Sequence, residues 1–228
     1  EIPFTIDNPE LWYPAGYGGQ PIYSFHTDVK IADSTVDTRS VRTGLRSVVL
    51  RRVPDQWGRS FEFVVNGIPI FAKGANIIPC DSFPNRVTTE QIRYILQSAK
   101  DANMNMVRIW GGGYYETQEF YQICDELGIM VWQDFMFGNP WQPGTYSFKQ
   151  NVAEEVKDQL KRLRNHPSIV LWCGNNEQES NFTQDTKNVS PEAKVQMWED
   201  YLTVFSGIIP AEVARYAPAT PYWPSTPS

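Results

Sequence analysis

Two regimes of hydrophobic patterning divide the chain. Up to about residue 67, apolar and polar residues alternate in short runs: Ile22-Tyr-Ser-Phe-His-Thr-Asp-Val-Lys-Ile31, residues 41–53, and Phe61-Glu-Phe-Val-Val65. Turns rich in Gly, Pro, Asp and Ser separate them, so the period-two pattern predicts about four β-strands. Asn66-Gly67 is a hairpin signal, because both residues tolerate positive φ; it joins 61–65 to Ile68-Pro-Ile-Phe-Ala72. From about residue 68 the pattern changes to apolar runs alternating with segments of helical period. Strands are predicted at 71–78, 106–110, 129–135 and 169–172, and helices at 88–103, 117–127, 148–165 and 191–213. A polar loop precedes the last helix, and Pro221-Tyr-Trp-Pro-Ser225 reads as the end of a fifth strand. Thr88, Thr89 and Glu90 supply a helix start, and Val152, Val156, Leu160 and Leu163 recur at helical spacing. His166-Pro167 stops that helix, with His166 expected as its cap.

Alternating strands and helices predict parallel β/α units. An eight-stranded barrel takes about 250 residues; about 160 remain here after the β region, roughly five units of eight. The β region is itself short of the seven or so strands of an immunoglobulin-like sandwich. The expected architecture is therefore multidomain β plus α/β. Residues 1–67 form the C-terminal part of an immunoglobulin-like β-sandwich, and residues 68–228 form the N-terminal part of an incomplete (β/α)8 TIM barrel.

Composition narrows the functions. The chain is 41% hydrophobic and 20% charged with a net charge of -6, and it lacks the clustered Lys and Arg that a polyanion requires, so no nucleic-acid partner is expected. No apolar run reaches the length of a membrane span, and Glu1-Ile-Pro-Phe4 lacks a basic region followed by an apolar one. Cys80, Cys124 and Cys173 show no CxxC or Cys/His spacing and read as small core residues. With only His26 and His166 present, a His-based metal site or a Ser/His/Asp triad has almost no material, and no cofactor is expected. The 8 Trp and 11 Tyr fit either core area or sugar-binding faces. Two sequons, at Asn181 and Asn188, fall in the polar loop and matter only in an exported protein.

The strand ends carry the chemistry. Ser168-Ile-Val-Leu-Trp-Cys-Gly-Asn-Asn-Glu177 is an apolar strand ending in two amides and a carboxylate. In a barrel such ends face one mouth, which gathers Asn76 and Asp81, Arg108 and Trp110, Gln133 and Asp134, and Asn175, Asn176 and Glu177. Glu177 would be partly desolvated, as suits an acid that protonates a leaving oxygen; pairing with Arg108 or capping the next helix fits it equally well. Asn176 is a candidate donor to a sugar hydroxyl, or a loop organiser. Trp110, beside Gly111-Gly-Gly113, offers a flat face to a ligand or covers the barrel rim. That glycine run lacks GxGxxG and the P-loop Lys, so it says little about phosphate. Asp134 is a second acid, a hydroxyl ligand or a partner of Arg108, and Arg108 is suited to orienting carboxylates.

These residues resemble a known family. Asn66-Gly-Ile-Pro-Ile-Phe-Ala-Lys-Gly-Ala-Asn76, Val107-Arg-Ile-Trp-Gly-Gly-Gly113, Glu119-Phe-Tyr-Gln-Ile-Cys-Asp-Glu-Leu-Gly-Ile-Met-Val-Trp-Gln-Asp-Phe135 and Trp172-Cys-Gly-Asn-Asn-Glu177 resemble the β-mannosidases of glycoside hydrolase family 2. Leu11-Trp-Tyr-Pro-Ala-Gly-Tyr-Gly-Gly-Gln-Pro-Ile-Tyr23 is similar to the immunoglobulin-like domain before their barrel. The resemblance implies exo-acting, retaining, metal-independent removal of terminal β-D-mannose from a β-mannoside. The sequence leaves the compartment open, with a secreted, periplasmic or lysosomal setting favoured over a cytoplasmic one. The resemblance also implies Glu177 as acid/base, Asn176 at the sugar 2-hydroxyl, Trp110 and Asp134 along the sugar pocket, and Arg108 supporting the nucleophile. The family's nucleophile is a Glu on a later strand. After Glu177 only Glu179, Glu192, Glu199 and Glu212 occur, in the loop and last helix, so the nucleophile is expected to be absent and the chain inactive without the rest of the barrel. Two departures bear on the outer subsites: Ile77 stands where the family often has Trp, and Gln178-Glu-Ser-Asn-Phe-Thr183 is polar where some relatives place another. Other readings are a family 2 hydrolase of a glucosaminide, galactoside or glucuronide, or a non-catalytic carbohydrate-binding or scaffold protein.

Overall fold

The computed structural model describes residues 3–227; Glu1, Ile2 and Ser228 lie outside the described residues, and with them part of the reading of the chain start. In the β region, β1 (Tyr23–Ile31) and β2 (Ser34–Thr43) form an antiparallel ribbon. A second antiparallel sheet holds β3 (Val48–Arg51), β4 (Glu62–Val65) and β5 (Ile68–Ile70). Asn66 and Gly67 turn between β4 and β5 at φ 49 and 80, the positive pair of a type I′ hairpin. The single strand expected at 41–53 is two strands in different sheets, broken at Gly44. A Cβ there would meet Pro167 Cγ at 2.7 Å and Trp12 Cβ at 3.0 Å, so the chain crosses too close to the neighbouring segment to continue a ladder.

The β/α region builds one five-stranded parallel sheet. β6 (Gly74–Ile77), β7 (Met106–Ile109), β8 (Met130–Asp134), β9 (Ile169–Cys173) and β10 (Tyr222–Trp223) lie side by side in chain order. Sequential parallel neighbours, each reached through helices, are the arrangement of a β/α barrel; here the sheet is open at β6 and β10. α1 (Thr89–Asp101) starts with a full capping box, in which Thr88 Oγ1 accepts from the Gln91 amide and Gln91 Oε1 accepts from the Thr88 amide. α2 (Gln118–Leu127) ends at Gly128, φ 75, and α3 (Tyr146–Leu163) buries Val152, Val156, Leu160 and Leu163.

Alternation along β7 and β8 separates two cores, and a register irregularity between β8 and β9 brings the adjacent Val170 and Leu171 to the same one. Val107, Ile109 and Val131 face the helices with Leu96, Ile123 and Leu160. Met106, Met130, Val170 and Leu171 face Trp12, Val48, Phe63, Val65 and Ile70 of the N-terminal region. The junction is also polar. Arg46 donates to the carbonyls of Ile169 (2.6 Å), Ala219 (3.0 Å) and Pro167 (3.2 Å) and to Thr220 Oγ1 (3.0 Å), and Trp12 Nε1 donates to the Asp125 carbonyl at 2.8 Å.

Four further details differ from expectation. Cys80 is exposed and not a core residue, while Cys124 and Cys173 are buried. The polar loop after β9 contains α4 (Gln178–Asp185), so the sequon residue Asn181 is helical. The helix expected at 191–213 is α5 (Pro191–Tyr201), a π segment (Leu202–Ile208) and α6 (Ile209–Tyr216). Pro210 lacks an N–H and its ring crowds the carbonyl four residues back, and the wider π turn before it relieves that conflict. His166 does not cap α3 with its ring: Nδ1 bonds Asp125 Oδ2 and Nε2 bonds the Gln118 amide, both at 2.6 Å. Among the described residues no cluster of potential metal ligands occurs, and no helix is long and apolar enough to cross a membrane.

Candidate active site

The site is built from the C-terminal ends of the parallel strands. Arg108 on β7 turns inward and meets Asp134 at the end of β8, with Nη2 to Oδ2 at 2.6 Å and Nε to Oδ1 at 3.2 Å. This is the forked geometry that a guanidinium makes and an ammonium cannot. Trp132 Nε1 (3.1 Å) and the Gly111 amide (3.0 Å) also donate to Asp134. Asp134 is 0% exposed. Burial pushes its carboxyl up from the usual range, while Arg108 and the Gly111 amide pull it back down.

From this anchor the bonding runs outward to the solvent. Arg108 Nη2 also donates to Asn176 Oδ1 at 2.9 Å, and Nη1 reaches Asn76 Oδ1 at 3.3 Å. A guanidinium only donates, so Asn176 must present its oxygen to Arg108 and its nitrogen elsewhere. That nitrogen donates to Asn139 Oδ1 at 2.9 Å, and Asn139 Nδ2 donates to Glu177 Oε2 at 2.6 Å. One N–H of Asn176 is left over for a ligand. Asn181 Nδ2, from α4, adds a longer bond to Glu177 Oε2 at 3.3 Å.

Glu177 itself sits at φ 62, ψ 3, a left-handed conformation that costs a non-glycine residue about 1–3 kcal/mol and concentrates at functional sites. Backbone bonds on both sides hold it: Glu177 N to Thr226 O and Asn176 N to Phe137 O, each 3.0 Å. Asn175 has turned away, fully buried, with its amide donating to Pro224 O (2.9 Å) and its oxygen accepting from Ser225 Oγ (2.7 Å) and the Gln178 amide (3.2 Å). It organises the loop that carries its two neighbours.

The strand ends enclose a cleft of ≈ 350 Å³ lined by Asn76, Ile78, Arg108, Trp110, Asn139, Asn176 and Glu177. Half-buried Trp110 forms one wall. A Cβ on Gly112 would come within 2.1 Å of its ring, and one on Gly111 within 2.6 Å of the Phe137 carbonyl oxygen, so the two glycines are what let the chain pass behind the indole. Of the residues singled out from sequence, Asn76, Arg108, Trp110, Asn176 and Glu177 line the cleft together. Asp134 stands behind Arg108 and does not reach the lining. Gln133 is buried and accepts from Tyr121 Oη at 2.6 Å, and Asp81 pairs with Arg86 and the Phe83 amide outside the cleft. Asn139 and Asn181 join the site without a sequence pattern that marks them for it. Asn139 lies in Gly138-Asn139-Pro140, which reads as an ordinary turn, and the available signal was its position just after a strand end.

A parallel β/α sheet whose strand ends converge on a carboxylate, amides and a half-buried indole defines a β/α-barrel protein with a polar-ligand cleft. Residues 59–199 match the family described as glycosyl hydrolases family 2, TIM barrel domain, and the chain belongs to that family. It is 42% identical over 221 residues to a β-mannosidase of Bos taurus, covering 96% of this chain and 25% of that protein. It is 41% identical over 233 residues to β-mannosidase B of Thermothelomyces thermophilus, covering 99% and 27% respectively. The crystal structure of a β-D-mannosidase from Dictyoglomus thermophilum superposes with a TM-score of 0.93 at 45% identity, over 99% of this chain and 27% of that one. An exo-chitosanase of Amycolatopsis orientalis, at TM-score 0.72 and 22% identity over 96% of this chain and 24% of that one, shares the fold. The chain thus spans about a quarter of the length of the curated relatives it matches.

Proposed function

We propose that this chain is the acid/base-bearing part of an exo-acting retaining β-mannosidase. In this reading residues 68–228 are the N-terminal part of the catalytic barrel, and residues 1–67 are the C-terminal part of an immunoglobulin-like sandwich. The observation that carries it is the continuous bonding from buried Asp134 through Arg108, Asn176 and Asn139 to Glu177. It delivers one carboxylate, held by one oxygen, to the edge of a cleft walled by an indole.

Retaining hydrolysis needs two carboxylates about 5–5.5 Å apart. Glu177 is the one carboxylate on the cleft lining among the described residues, and the attacking partner belongs to a further strand of the same barrel. Glu177 protonates the glycosidic oxygen as that partner attacks the anomeric carbon, then takes a proton from the water that releases the sugar. The free N–H of Asn176 serves a sugar hydroxyl, Trp110 stacks on the ring, and Arg108 fixes Asn176 and borders the nucleophile's place. Asp134 acts from behind, holding Arg108.

The choice of mannose rests on relatives near 40% identity. The test is a panel of aryl β-glycosides given to the full protein that carries this segment. Mannoside should be preferred; a preference for glucosaminide, galactoside or glucuronide would refute the sugar, and binding without turnover of any would refute the enzyme. Residues 1–228 in isolation should hydrolyse no aryl β-mannoside, and turnover by them that Glu177→Gln abolishes would contradict the missing-partner assignment.

A further inference from the structure

The loop after β8 is more rigidly built than its exposure suggests. Asn139 is exposed, yet the carbonyls on either side of it, of Gly138 and Pro140, both accept from the side-chain amide of buried Gln178, at 2.9 and 3.1 Å. The Phe137 carbonyl accepts from the Asn176 backbone at 3.0 Å. The loop is therefore stitched to the residues that bracket Glu177, which fixes where Asn139 stands relative to the carboxylate. Its side chain spends both ends inside the site, accepting from Asn176 Nδ2 (2.9 Å) and donating to Glu177 Oε2 (2.6 Å). Asn181 donates to the same oxygen, while among the described residues nothing is bonded to Oε1.

We infer that Asn139 is a positioning residue for the acid/base, an assignment that rests on Glu177 being the proton donor. By pinning Oε2, Asn139 fixes the rotation of the carboxyl group and leaves Oε1 as the oxygen that carries the proton toward the leaving group. The proton passes from Oε1 to the glycosidic oxygen as its bond to the anomeric carbon breaks, and the departing alcohol keeps it. A proton donor that is free to rotate fails where the leaving group needs protonation. It matters little where the leaving group departs as a stable anion.

The test compares kcat/KM on β-linked mannobiose, whose leaving group is an alkoxide without protonation, with that on dinitrophenyl β-mannoside. The full protein is assayed as wild type, Asn139→Ala and Asn139→Asp. The Asp variant keeps the volume but replaces the donor by an acceptor. For both variants kcat/KM on mannobiose should fall on the order of 100-fold, while that on the dinitrophenyl glycoside should fall by less than about threefold. Near-wild-type activity on the second substrate also shows that the variants fold. Equal losses on both substrates, or an unchanged rate on mannobiose, would overturn the assignment of Asn139 with Glu177 left in place. A wild-type protein inert on both mannosides would overturn the function first, and the role of Asn139 with it.

Discussion

Replacing Arg108 by Met isolates a carboxylate that is 0% exposed. Arg108 is itself only 17% exposed at its side chain, so the pair is not a solvent-screened surface bridge. Removing one partner of such a pair costs about 3–5 kcal/mol. Asp134 keeps the Trp132 and Gly111 donors, which places the loss toward the lower end, about 3 kcal/mol. For a domain of roughly 150–250 residues each kcal/mol moves the midpoint by about 2–4 °C, so the barrel's Tm should drop by about 6–12 °C.

The pH dependence of that loss has a definite sign. Burial already raises the Asp134 carboxyl, and Arg108 is the main group opposing it; without Arg108 the folded-state pKa rises further above the unfolded one. A group with a raised folded pKa binds its proton more tightly when folded. Its penalty is complete above the folded pKa and fades as the pH falls through that value. Differential scanning calorimetry of wild type and variant should therefore show a wider gap at about pH 8 than at about pH 5. A Tm change under about 2 °C, or a gap that does not narrow on acidification, would refute the reasoning. Arg108→Lys should fall between the two, since an ammonium keeps the charge but not the fork.

Other perturbations separate binding from stability. Gly112→Ala forces the Trp110 ring aside and should raise KM for mannosides more than it lowers kcat, read in steady-state assays. Gly111→Ala meets backbone carbonyls at 2.6 and 2.8 Å that cannot rotate away, so urea unfolding should report a loss of about 1–3 kcal/mol. Arg46→Met leaves three carbonyls at the junction without their donor. It should lower stability by about 1–3 kcal/mol while kcat per folded molecule stays unchanged, because Arg46 lies outside the cleft.

Much of the β/α region was legible because its signals are redundant. The strands of the inner sheet are apolar runs bounded by turn residues, and α3 shows its buried face in Val152, Val156, Leu160 and Leu163. The misses fall where tertiary contacts override local pattern. α4 is polar except for Phe182, with only Gln178 buried, so nothing in its periodicity announces a helix. The break at Gly44 depends on Pro167 and Trp12, residues far away in sequence or across the junction. His166 reads locally as a helix stop, and only the fold brings Asp125 to its ring. At the site, Glu177, Asn176, Arg108 and Trp110 are residue types with evident chemistry at strand ends. Asn139 is a turn residue by composition, and its two bonds exist only because the loop folds over Glu177. Asp134 looks like a cleft residue until Arg108 is seen to cover it.

The role of Glu177 is tested most directly by azide rescue of Glu177→Ala in the full protein, assayed on dinitrophenyl β-mannoside with the product anomer determined by NMR. Loss of the proposed acid/base should leave the glycosylation step on this activated substrate nearly intact but cut kcat by about 10²–10⁴-fold, because water then attacks the glycosyl-enzyme without a base. Azide should restore kcat by attacking that intermediate from the face Glu177 vacated, giving β-mannosyl azide. An α-mannosyl azide would make Glu177 the nucleophile, and an unchanged kcat without azide would remove it from the chemistry altogether.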